Sequence, residues 1–130
     1  MIRIALVALL ALAGCATTAA DRSLVGRWGG QHVGLDLGVT NGRLDYDCAV
    51  GTIDGPVIPH GDGDFEALGT HTPGHGGPDR VGEIRPAYQT RYSGIVRGDR
   101  MTLQARVENG VLLGPFTLTR GAEPMLLRCL

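Results

Sequence analysis

An all-β fold, a small antiparallel meander of about eight strands closing into a barrel, is predicted by three observations. From Leu24 onward apolar and polar residues alternate with period two. No window of about 11 residues keeps helical periodicity. Asn-Gly, Gly-Asp and Gly-Gly steps punctuate the alternation where tight hairpin turns form.

Each strand follows from its turn. Gly30-Gln31 sets Trp28 against Val33 and Gly26 against Leu35. Asn41-Gly42 sets Val39 against Leu44, Leu37 against Tyr46, Leu35 against Cys48 and Val33 against Val50. Phe65 to His71 supplies a further strand. Gly98-Asp99, read as a II′ turn, pairs Val96 with Met101, Gly94 with Leu103, Tyr92 with Ala105 and Thr90 with Val107. Asn109-Gly110 pairs Val107 with Leu112, Ala105 with Gly114, Leu103 with Phe116 and Met101 with Leu118. Met125 to Leu130 makes a last short strand. The Asn41-Gly42, Gly98-Asp99 and Asn109-Gly110 turns agree in putting like faces together, and a one-residue slip in any would scramble them. Trp28, Leu35, Leu37, Tyr46, Phe65, Tyr92, Met101, Leu103 and Phe116 become the inward residues. Tight turns throughout favour a closed barrel; a two-layer sandwich would use the same alternation.

The 130 residues suit one domain. All 12 basic residues are Arg, and the net charge of −1 offers no long-range attraction to nucleic acid. Met1-Ile2-Arg3 followed by apolar Ile4 to Leu12 has the build of a secretory signal. The uncharged run from Ile4 to Ala20 is 17 residues, short of the roughly 20 a spanning helix needs. Leu12-Ala13-Gly14-Cys15 resembles the lipobox of bacterial lipoproteins, in which signal peptidase II cuts before a diacylglycerol-bearing Cys. The resemblance implies a signal peptide at 1–14, lipidation at Cys15, a tether at 15–22 and one domain at 23–130. Ala16 after that Cys, in place of the Asp that retains lipoproteins in the inner membrane, implies the periplasmic face of the outer membrane of a Gram-negative cell, with the acyl chains as the membrane partner. Cleavage after Thr18-Ala19-Ala20 would instead release a soluble periplasmic protein.

Gly26-Arg27-Trp28 resembles the G-x-W that opens lipocalin barrels, and the length is similar to the avidin group of calycins. Asp45-Tyr46-Asp47-Cys48 with a terminal Cys129 distantly resembles the membrane-bound inhibitors of c-type lysozyme, which are also barrel lipoproteins with a Tyr-x-Cys strand. Those inhibitors use a Ser-Gly and Lys region; this chain has no Lys, and its Ser93-Gly94 stands in another context.

Four groups of residues are candidates for function. Cys48 and Cys129, both on predicted strands and both exported to an oxidising compartment, are expected to form a disulfide. His60, Asp62, His71 and His75 would offer N and O ligands for Zn²⁺ or Cu²⁺ if they converged at one barrel rim, although Pro73 and Gly74 forbid a helical ligand pair; the alternative is a solvated loop over 72–86 and no cofactor. On the outer faces, Asp36 is expected opposite Asp47 with Asp45 diagonal, a repulsion that Arg27 would offset. Arg91 opposite Arg106, with Arg97 and Arg100 flanking a turn, would form a basic strip able to meet phosphates or an acidic partner. For catalysis there is no G-x-S-x-G elbow, H-E-x-x-H or phosphate loop. The expectation is therefore a non-catalytic binding or envelope-structural module, taking an envelope protein, glycan or lipid. The alternatives are an inhibitor of a secreted hydrolase such as lysozyme, or a metal-binding protein using the His-rich rim.

Overall fold

In the computed structural model, which describes Gly14 and residues 23–130, eight antiparallel strands close into a barrel with each strand paired to its neighbours in sequence and β1 paired to β8. The strands are β1 (Gly26–Gly30), β2 (Val33–Leu37), β3 (Asn41–Tyr46), β4 (Ala49–Asp54), β5 (Asp64–Pro73), β6 (Tyr88–Arg97), β7 (Arg100–Val107) and β8 (Leu112–Arg120). Closure excludes the sandwich. Cys15 and the 15–22 tether lie outside the described residues.

The β6–β7 hairpin has the register that Gly98-Asp99 predicts at every pair. The Asn109-Gly110 turn also stays in place, with Leu103 opposite Phe116 and Met101 opposite Leu118 as predicted, and only the pairs nearest the turn shift by one residue. The first two turns move. Asn41 and Gly42 open β3, and the turn falls on Val39-Thr40, so Leu35 meets Leu44 and Val33 meets Tyr46. The β1–β2 turn shifts to Gln31-His32, pairing Trp28 with Leu35. Both displacements are even in register, so the inward set survives although the partners change. Val39 leaves the core, 73 % exposed. The expected strand through Cys48 and Val50 instead folds back at Asp47-Cys48, where Cys48 adopts φ 59°, and continues as β4. This turn yields the strand that sequence reading missed. Residues 126–130 form no strand; Met125 makes a single parallel bridge to Gln31.

These shifts also remove the expected charge repulsion. Asp36 stands between Arg27 on β1 and Arg43 on β3, and the Arg43 guanidinium donates to Asp45 at 3.0 Å. Asp47 is not opposite Asp36 at all: it pairs with His32 and accepts the Leu127 amide at 2.6 Å.

Trp28, Leu35, Leu37, Tyr46, Phe65, Tyr92, Met101 and Leu103 are buried inside, with Phe116 partly buried against them. The narrowest seam is β1–β8, with two register pairs. Gly29 and Gly30 lack a Cβ where one would collide with the backbone of Ala122 and Thr117, which lets β1, β8 and the C-terminal segment approach this closely. That segment straps the outside of the seam. Gly121 N donates to Arg27 O, Met125 N to Gly30 O and His32 N to Met125 O. Its end is held by a Cys48–Cys129 disulfide with Cα atoms 4.8 Å apart. The expected pairing is present, joining a hairpin turn to the strap rather than two strands.

The β5–β6 connection also differs in extent from the expected 72–86 loop. Thr72 and Pro73 belong to β5, Gly74 N donates to Cys48 O at 2.7 Å, and Gly76 packs on the Leu130 backbone. Only the stretch beyond Gly76 stands clear. Replacing residues 77–85 with a short flexible linker is expected to change the melting temperature by only a few degrees, because exposed ion pairs contribute roughly 0–1 kcal/mol each and closure entropy varies slowly with length. Removing Gly74 to Gly76 should lower it markedly, and a thermal scan of both variants checks the contrast.

Candidate functional site

The strand order separates the expected metal ligands. His60 and Asp62 sit in the turn before β5, where Asp64 N donates to Asp62 Oδ1 at 3.1 Å, next to Arg97 and Gly98. His75 follows the far end of β5, and ten strand residues span roughly 30 Å. His71 is inside the barrel. The four do not converge.

His71 belongs to a buried polar group near the barrel end that carries the disulfide. Its ring stands edge-on to Tyr46, centroids 5.5 Å apart, and among the described residues neither its Nδ1 nor the Tyr46 hydroxyl has a hydrogen-bond partner. The Tyr92 hydroxyl donates to Thr70 O at 2.7 Å, in space left by Gly51, where a Cβ would strike it. Burial, with Tyr92 nearby, pushes the Tyr46 hydroxyl far above its ordinary range; burial also raises Tyr92 and lowers His71. The His71 ring is therefore neutral in the fold, while the unfolded chain binds the extra proton once pH falls below about 6.5. Stability is expected to be full above that pH and to decline below it until the folded ring itself protonates. Urea midpoints at about pH 7.5 and about pH 5 should differ less in His71→Phe than in the parent. Equal differences would remove His71 as the cause.

On the loop, a different cluster gathers. One ligand atom each from His75, Asp79 and Glu83 lie within 4.8 Å of one another. His75 Nε2 is 2.6 Å from Glu83 Oε1, while Arg85 pairs with Asp79 and stands 3.4 Å from His75 Nε2. The Gly76 carbonyl and then Glu83 raise the His75 imidazole; the Arg80 amide and then His75 lower Glu83. Asp79, Glu83 and Arg85 carry no spacing that marks them in the sequence. The donors would suit a divalent ion, but the Arg85 guanidinium already supplies the positive charge, so the cluster works as an ion-pair network shaping the loop.

The outer wall of β5–β8 carries the other candidate. Arg91 lies opposite Arg106 and Arg97 opposite Arg100, as the sequence predicts. They form two pairs rather than one strip, separated along the hairpin by roughly 20 Å. Arg91 and Arg106 line a cleft of about 510 Å³ with Leu68, Gln89, Glu108 and Leu112. Sequence reading placed Leu112 against Val107 on the inner face. A bulge between Leu103 and Ala105, facing the Gly114-Pro115 step of β8, shifts the register by one and turns Leu112 outward, opposite Arg106. Leu68 stands outward opposite Arg91. Beyond this cleft the wall continues as a mixed groove of about 480 Å³ lined by Glu66, Ser93, Ile95, Gln104 and Pro115 among others.

No protein-family model, no curated protein and no solved structure matches this chain.

Proposed function

We propose that this chain is a lipoprotein carrying its lipid on Cys15, anchored at the periplasmic face of the outer membrane, and that its barrel is a non-catalytic binding module working through the outer wall. The leader and the Leu12-Ala13-Gly14-Cys15 lipobox support the anchoring. The observation that carries the binding mode is the filled interior: Trp28, Leu44, Tyr92, Met101 and Leu103 are all fully buried. A small barrel occupied by its own side chains leaves a partner only the exterior. There the Arg91–Arg106 cleft combines charge, concavity and apolar flanks.

A photo-crosslinking residue at Gln89 in intact cells is expected to trap an envelope component, while the same residue at Thr52 on another part of the wall should not. Equal labelling from both positions, or none, would defeat the reading. Cys15→Ala should move the protein out of the membrane fraction, and wild-type protein found free in the periplasm would defeat the anchoring. The lysozyme-inhibitor reading draws on the Cys48–Cys129 disulfide beside Tyr46, and inhibition of a c-type lysozyme by the purified barrel separates it.

A further inference from the structure

We infer that the Arg91–Arg106 cleft seats the phosphate headgroup of an anionic lipid, so that the β5–β8 wall rests on a lipid surface; this rests on the reading of that cleft as the binding face. Leu68, Arg91, Arg106 and Leu112 stand directly opposite one another on four successive strands. All four side chains point outward.

Two guanidiniums in directly opposed positions repel each other. A phosphate between them converts that repulsion into bidentate, charge-assisted hydrogen bonds. Among the described residues Arg106 has no carboxylate within ion-pair distance, and Arg91 has only Glu66 at 3.4 Å, with both of those side chains more than half exposed. Such a contact is weak and screened. Glu66 and Glu108 border the pair, so the wall is not a diffuse basic patch, and attraction for an anion is local to the two arginines.

The flanks favour a lipid over a free phosphate. Leu68 is 57 % and Leu112 54 % exposed, one at each end of the arginine row. An inorganic ion has nothing to place against them, whereas a phospholipid carries glycerol and acyl carbons beside its phosphate. The row lies toward the end of the barrel away from the start of β1, so contact is side-on. Eight residues, 15–22, can reach roughly 26–29 Å when extended, enough for an anchored barrel to lie on its wall.

Flotation of residues 23–130, which contain the closed barrel, its core and its disulfide, tests this with vesicles of phosphatidylglycerol and of phosphatidylcholine. Binding to phosphatidylglycerol only is expected, reduced roughly 30-fold by Arg91→Gln with Arg106→Gln. Arg97→Gln with Arg100→Gln, which removes the same charge from the other end of the hairpin, should leave binding unchanged. Leu68→Ser with Leu112→Ser should weaken flotation, and inorganic phosphate at millimolar level should not compete. No flotation of the parent, equal loss in both arginine pairs, or full competition by inorganic phosphate would overturn the proposal. A Gln89 cross-link to a protein or glycan without flotation would discard the lipid and keep the cleft; absence of both results would discard both.

Discussion

Trp28→Ala is expected to cost about 3–5 kcal/mol of folding free energy, the range for removing a fully buried large aromatic. Trp28 is 1 % exposed and sits on β1, the strand with the thinnest pairing to its neighbour β8. Its Nε1 donates to Leu24 O at 3.0 Å, holding the entering chain against the barrel end. The Arg120 guanidinium of β8 lies over its ring, 4.3 Å from the centroid, and also reaches Ser23 O and Val25 O. One side chain therefore fills the core and joins the first strand to the last. Since a domain of this size has roughly 5–15 kcal/mol in total, the variant should sit near the limit of folding, measurable as a fall in the urea midpoint. A loss below about 1.5 kcal/mol, the scale of a volume-conserving core swap, would show that the seam is held elsewhere.

Cys129→Ser is expected to cost about 2–4 kcal/mol, since the bond closes a separation of 81 residues and so constrains the unfolded chain strongly. Cys48→Ser should cost the same, and the double variant no more than either, because one bond is lost in each case. The released strap still has the Met125 backbone bonds to Gly30 and His32 and the Leu127 bond to Asp47. Hydrogen exchange at the Met125 and His32 amides, which donate to Gly30 O and Met125 O, should accelerate more than at the β6–β7 pairs, since local opening begins at the strap. Denaturant midpoints and exchange rates check both statements; additive losses in the double variant would contradict the single-bond account.

The β6–β7 hairpin was legible in full because a Gly-Asp turn requires φ > 0 at the glycine, and Gly98 adopts φ 59°. The inward residues were legible for a more general reason. Period-two alternation records which face is buried, and slips of two or four residues leave that record intact. The same tolerance explains the errors. Asn41-Gly42 carries strong turn chemistry, yet the turn lies at Val39-Thr40, since either choice buries Leu35, Leu37, Leu44 and Tyr46 and only the further pairing of β3 with β4 separates them.

The candidate site was legible in part. Arg91 and Arg106 followed from one correct turn, and His75 from its place in a Gly- and Pro-rich loop. The sequence by itself determined the all-β class, the inward set, the disulfide partners and the opposed arginines, because each depends on local alternation, turn residues or cysteine count, whereas it missed β4 and placed a strand at 125–130 that does not form. Closure of the barrel, the separation of His60 and Asp62 from His75, the strap over the β1–β8 seam and the outward Leu112 were decided only in the tertiary structure. Each of these depends on which strand lies beside which and on one extra residue at a bulge. Neither leaves a trace in local periodicity, since a bulge re-aims a side chain without changing the polarity of any residue.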